Sequence, residues 1–249
     1  MTAGAVACLS FDNLGEAAEI GAGRLSGPLA PSLDRSIAVG QPNLLALLAR
    51  RGVRASFFVE GWNGIHHPGA VAEIVAHGHE LGCHGWLHER WCELEPEREA
   101  ELLGRATEAL ARAAGVRPVG FRAPGGARSA ATERLLLELG YAYDASLGEG
   151  MSPLRLPAGL AQVPFTWAGV DGAWYLRPKP ADPADVRDAW LAALDRVAGQ
   201  GGLFVLVCHA FITGIERARL AALEAVIEAV QQDSRVSLRT LGEVAAALG

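Results

Sequence analysis

The sequence predicts an α/β fold arranged as a closed or nearly closed β/α barrel, and three observations point to it. Short apolar runs alternate with amphipathic helical segments along most of the 249 residues, the pattern of a parallel sheet with covering helices. The run LFVLVC at 203–208 is apolar throughout, as strands buried on both faces are. Several runs end abruptly in a polar residue able to do chemistry: Asp12, His84, Arg122, Asp144 and His209. About seven or eight β–α units fit this length as one domain. An open doubly wound sheet is the rival arrangement, but no GxGxxG follows a strand and opens a helix, so a nucleotide fold has no support.

Each element has a local reason. Residues 6–11 form a short apolar strand. Residues 42–51, PNLLALLARR, carry helical periodicity with Pro42 suited to a first turn. VRASFFV at 53–59 is a strand, 68–77 a short helix and 80–83 a short strand. Residues 95–114 make a long charged amphipathic helix stopped by Gly115. A strand at 119–122 precedes a helix at 129–139, capped by Ser129 and stopped by Gly140. A strand at 141–144 follows. Residues 148–180, rich in Gly and Pro, are expected to be irregular apart from a strand at 162–167. A helix at 182–198, the strand at 203–208, a helix at 215–231, a strand at 236–238 and a final helix capped by Thr240 complete the chain. The long first loop, 15–40, is expected to help form a lid.

Bulk properties exclude some functions. The formal net charge is -6 and the basic residues are scattered, which disfavours nucleic acid as a partner. The one cluster, Arg50, Arg51 and Arg54, falls at a helix end, where cations complement the dipole. No run reaches the roughly 18 apolar residues of a membrane span. The first eight residues lack the basic and apolar regions of a secretory signal, so a cytoplasmic location with no membrane partner is expected. The four cysteines show no CxxC spacing and are expected to be buried, reduced thiols.

The strand-end residues carry the functional reading. In a β/α barrel the carboxyl ends of parallel strands share one face, and sites form there. His84 and His88, spaced H-x3-H, offer two imidazoles to a metal. Asp12 could act as general base on a bound water, and Arg122 could orient it. His209, expected across the barrel mouth from Asp12, could protonate a leaving group. Asp144 could pair with His209 and raise its pKa. That set suits hydrolysis of an amide-like C–N bond. His77 and His79 precede their strand and are expected on the opposite face, while His66 and His67 are expected to be structural or solvent-facing.

In this arrangement the sequence resembles the polysaccharide deacetylase family, also known as the NodB-homology or carbohydrate esterase 4 family. FDN at 11–13, HGWLH at 84–88, RAPGG at 122–126, Asp144 and CH at 208–209 stand in the order of its five motifs. ASFFV at 55–59 and HGHELGCHG at 77–85 resemble the connecting framework, the latter closer to the allantoinase-like and peptidoglycan-deacetylase-like branch. The resemblance implies a distorted (β/α)7 TIM-like barrel and metal-assisted removal of an acyl group from an amino sugar. It implies Asp12 as base, Arg122 as its positioner, His209 as acid tuned by Asp144, and His84, His88 and Asn13 as ligands of a divalent metal, with zinc the expected ion.

Two residues depart from the pattern. Asn13 stands where the family has a metal-binding Asp, and it brings no charge. Gly85 stands where Ser or Thr is usual. Glu16 is near enough in sequence to restore the charge, although a solvated loop position is the simpler expectation. Trp62, Trp86, Pro124 and Phe211 are expected to shape the substrate pocket, with Trp91, Trp167 and Trp174 also beside predicted loops. The expectation is a C–N hydrolase of carbohydrate metabolism, deacetylating a small intracellular N-acyl amino sugar or natural-product intermediate. The alternatives are a metal-independent acid–base enzyme on the same scaffold (a cyclic-amide hydrolase, isomerase or lyase) and a non-catalytic binding protein.

Overall fold

A computed structural model describes residues 4–148 and 152–248. In chain order it contains β1 (Ala5–Asp12), α1 (Ala17–Gly21), a π-helical turn (Ser36–Gly40), α2 (Gln41–Arg51), β2 (Ser56–Val59), α3 (Gly61–His66), α4 (Pro68–Ala76), β3 (Glu80–Cys83), α5 (Pro96–Ala114), β4 (Gly120–Phe121), α6 (Thr132–Glu138) and β5 (Tyr143–Asp144). It continues with β6 (Leu154–Arg155), β7 (Ala161–Gln162), α7 (Gly172–Tyr175), α8 (Pro183–Gln200), β8 (Gly202–His209), a second π-helical turn (Ala210–Gly214), α9 (Arg217–Gln232), β9 (Val236–Leu238) and α10 (Leu241–Ala246).

The parallel strands run in the order β7-β5-β4-β3-β2-β1-β8. β8 follows β1 over its whole length, while β9 pairs with Ala5–Ala7 and β2 with Ser10–Asp12. The short antiparallel β6 lies outside β7. The remaining gap is closed by isolated bridges, Leu147 to Phe165 and Val170 to Val207, both parallel. The expected barrel is therefore present in distorted form, its seam made of single bridged residues. The strand expected at 162–167 is reduced to β7 and the Phe165 bridge, and residues 149–151 of the expected irregular stretch lie outside the described residues.

Local chemistry accounts for the long elements. α2 ends at Gly52 in the left-handed conformation (φ 64°), and α5 ends the same way at Gly115 (φ 72°). Asp182 caps α8, and Thr240 with Glu243 forms a capping box on α10. α6 starts three residues later than Ser129, whose hydroxyl accepts instead from the Ala131 amide.

Two glycine contacts place the helices that border the site. A side chain at Gly61 would come within 2.4 Å of Ala106 Cα, and one at Gly64 within 2.7 Å of Ala109 C, so the backbone of α3 rests directly on α5. A side chain at Gly214 would come within 2.6 Å of Gly40 O, and Asn43 Nδ2 donates to Gly214 O at 2.9 Å. The loop after β1 and the turn after β8 thus touch through backbone.

Candidate active site

A cleft of about 860 Å³ opens at the carboxyl ends of the strands. Asp12, Asn13, His84, His88, Arg122 and His209 all line it. Strand register explains the convergence. Asp12 and His209 are direct partners across β1 and β8, so the two residues stand on adjacent strands rather than across the mouth as expected. β2 intervenes between the Asp12 and His84 strands.

Asp12 is buried, and its Oδ1 accepts from Arg122 Nη1 at 2.6 Å. The same nitrogen donates to Ser10 Oγ at 2.9 Å, and Arg122 Nε donates to Ala145 O at 2.9 Å. The guanidinium lies over the Phe58 ring at 4.3 Å and the Phe165 ring at 5.0 Å. A fully buried cation is thus fixed by three kinds of contact, and its carboxylate partner is fixed with it.

His84 Nδ1 lies 2.8 Å from Arg122 O. A carbonyl only accepts, so Nδ1 carries the proton and Nε2 keeps a free lone pair. Burial pushes the His84 pKa down to about 3, against the partly opposing pull of Asp12, so the ring is neutral near pH 7. Burial lowers the His88 pKa as well. The two rings meet edge to face with centroids 5.1 Å apart. Asn13 adopts φ 58°, a left-handed conformation that asparagine tolerates better than most residues, and its buried Oδ1 has no hydrogen-bond partner. Two neutral imidazoles and an orphaned amide oxygen are a donor set that fits a divalent metal. Among the described residues no group of three or more His, Cys, Asp or Glu is placed to hold one, so the third donor here is an uncharged amide.

The partner of His209 differs from expectation. Its Nδ1 lies 2.5 Å from Asp171 Oδ1, and Asp171 Oδ2 accepts from the His209 backbone N–H at 2.8 Å and from Thr213 Oγ1 at 2.6 Å. Burial alone would lower the His209 pKa, but the Asp171 charge and hydrogen bond outweigh it and the pKa is raised. Asp144 does not meet His209. It is buried and accepts from Ser146 N, Ser146 Oγ, Arg128 Nη1 and Gln162 Nε2. Its pKa is raised by burial, with Ser146 and Arg128 opposing. Asp144 instead ties β5 to the loop carrying Ser146, whose Oγ accepts from the Ala123 amide beside Arg122.

Other expectations are also corrected. Trp62 and Trp86 are not among the residues lining the cleft: Trp86 is buried with Arg105 stacked on it at 3.7 Å, and Trp62 stacks on His66 at 3.8 Å. Pro124 packs beneath Gly85 rather than lining the cleft. Trp91 is buried and donates to Glu99. Phe211 and Trp167 do line the cleft. Glu16 is buried rather than solvated, and its carboxylate is bonded to His67 Nε2 at 2.8 Å. Cys92 is exposed, whereas Cys8, Cys83 and Cys208 are buried as expected. Gly85 has a conformational reason: φ is 74°, and a side chain would fall within 2.9 Å of Glu89 Oε2 and 3.1 Å of Pro124 Cγ.

Two residues escaped the sequence reading. Asp171 follows Val170, a single residue bridged to Val207 of β8, so no apolar run announces it. Glu60 follows β2 directly and is fully buried. It accepts from Leu14 N at 3.2 Å and Asn63 Nδ2 at 3.1 Å, and burial with the nearby Asp12 charge raises its pKa to about 8. Its position at a strand end was the available signal.

Comparison with known proteins agrees with this geometry. A polysaccharide deacetylase family model matches residues 30–143. A solved structure of a Mycobacterium smegmatis protein assigned as a polysaccharide deacetylase superposes with a TM-score of 0.90, at 31% identity over 100% of this chain and 91% of that one. The allantoinase PuuE superposes with a TM-score of 0.83 at 21% identity over 98% and 90%, a likeness of fold. A peptidoglycan deacetylase-like protein of Gibberella zeae is 34% identical over 145 residues, 57% of this chain but only 43% of that protein.

Proposed function

Because the chain belongs to the polysaccharide deacetylase family, we propose that it hydrolyses an N-acyl bond, removing an acetyl group from a small amino-sugar compound inside the cell. The observation that supports this best is the pair of held groups on adjacent strands. Asp12 is fixed by Arg122, and His209 is fixed by Asp171, with the two side chains in register.

The residues divide the work. Arg122 occupies Asp12 Oδ1, which leaves Oδ2 to take a proton from water. The water oxygen bonds to the acyl carbon as the C–N bond breaks, and the amine nitrogen needs a proton. His209 can give it from Nε2, because Nδ1–H is committed to Asp171 and the raised pKa keeps the ring protonated to higher pH. The products are a carboxylate and an amine. His84, His88 and Asn13 would hold a divalent metal, zinc by the nature of the donors, which when bound would polarise the acyl carbonyl and the water. The charge of the donor set is one less than with a carboxylate, so weak metal binding is expected.

The size of the cleft supports a small substrate. The free cysteines, with Cys92 exposed, are compatible with a reducing compartment. The test is to assay N-acetyl amine release by the purified protein with and without added zinc, beside Asp12→Ala and His209→Ala. Turnover by the wild type and loss in both variants, with unchanged melting temperature, is expected. Full activity in either variant would sink the mechanism. Activity that survives chelation would favour metal-independent acid–base chemistry by the same pair.

A further inference from the structure

The cleft has two unlike walls. On the side of His84 and His88 the rim carries charge: Glu19, Arg24, Glu89 and Arg90. On the side of His209 it is apolar. Trp167 is 50% exposed, Leu176 64% and Phe211 37%, and all three line the same cleft as Phe165, Val170 and Val207. Exposed aliphatic and aromatic side chains scattered singly are ordinary, but three on one wall of one pocket mark a binding surface.

The wall adjoins the proton donor. The Phe211 ring lies 5.4 Å from the His209 ring. A side chain at Gly172 would sit 3.6 Å from Leu176 Cδ1 and 3.9 Å from His209 Cε1, so the absent side chain leaves space between the leucine and the imidazole. The wall also offers little to a polar ligand. Apart from His209, the only side-chain donor or acceptor on it among the described residues is the indole N–H of Trp167. A second sugar ring could rest one face on these side chains, but apart from that N–H its hydroxyls would find no side-chain partner on this wall.

We propose that the substrate carries an apolar group on its amine side, an aryl or alkyl substituent of the amino sugar rather than a further sugar, seated on Trp167, Leu176 and Phe211. The amine side follows from chemistry: His209 must face the departing nitrogen, and the apolar wall surrounds His209. This rests on the hydrolase reading above.

A matched set of glycosides tests it. The phenyl and methyl β-glycosides of N-acetylglucosamine share the reacting amide and differ only in the apolar group. The phenyl compound is expected to have a kcat/KM at least about tenfold higher, the usual scale for added apolar contact. Leu176→Ser is expected to bring that ratio towards one. Equal values for the two glycosides in the wild type would overturn the proposal. So would a preference that follows the acyl group, with the N-butyryl methyl glycoside favoured over the N-acetyl, because the wall would then hold the acyl chain. If neither glycoside is hydrolysed, the hydrolase reading fails on its own, and calorimetry with the deacylated phenyl and methyl glucosaminides decides the wall. About tenfold tighter binding of the phenyl compound supports it, and equal binding overturns it.

Discussion

Asp171 holds His209 at two points, the ring through Oδ1 and the backbone N–H through Oδ2, so one buried carboxylate sets both the tautomer and the position of the imidazole. This pairing moves the tuning role from the end of β5 to the segment that closes the barrel seam.

Asp171→Asn is expected to lower kcat/KM by roughly 10²–10⁴-fold, the range for a disabled general acid. The sign of the pH effect follows from the raised pKa of His209. Acid catalysis needs protonated His209, so wild-type activity should fall as pH rises through that pKa, and the asparagine variant should lose activity at lower pH. Stability has the same sign: the His209–Asp171 contribution is full below the ordinary value of 6.5 and fades as pH rises through the folded value. A pH–rate profile of both proteins checks the shift. Asp144→Asn should leave the alkaline limb in place, because its contacts lie elsewhere.

Asn13→Asp is expected to tighten divalent-metal binding about tenfold or more, since affinity at such sites follows ligand charge. The left-handed backbone is tolerable for aspartate, so the variant should fold. Zinc titration followed by calorimetry reads the change. No gain in affinity would mean that residue 13 does not contact metal.

Gly85→Ser would restore the hydroxyl usual in the family, yet it is expected to destabilise by about 1–3 kcal/mol. The cause is the positive φ together with the contacts to Glu89 and Pro124. Denaturant unfolding measures it, and an unchanged midpoint would show that the loop can relax.

Glu60→Gln should flatten the pH dependence of stability between pH 4.5 and 8. Glu60 is protonated in the fold up to about 8 but ionises near 4.5 when unfolded, so its burial costs stability progressively as pH rises through that window. Glutamine keeps an oxygen to accept from Leu14 and Asn63 and cannot ionise. Melting temperatures across that range compare the two proteins.

Much of this was legible in the sequence because chemistry sat at the ends of long or well-patterned strands. Asp12 and His209 are the last residues of β1 and β8, which at eight residues each are the longest strands in the sheet. His84 and Arg122 follow short strands but lie in distinctive local wording. Asp171 was not legible because its supporting strand is one residue, and a periodicity cannot be read from one residue. Trp62 and Trp86 were misplaced for a related reason: aromatic residues beside strand ends look like pocket walls, and the residue that covers Trp86, Arg105, lies far from it in sequence. Glu16 resembled a solvated loop acid because its partner, His67, is 51 residues away.

The contact of Gly40 with Gly214 makes the mouth of the cleft a collar rather than a set of separate loops. For an engineer this divides the rim into two kinds of territory. Residues 18–33 and the exposed side chains of Trp167 and Leu176 can be rebuilt to change what enters, while Asp171 between those two has to stay. Residues 34–43 and 210–214 form one interlocked piece, to be transplanted together or left in place, because the two halves follow the strands that end in Asp12 and His209.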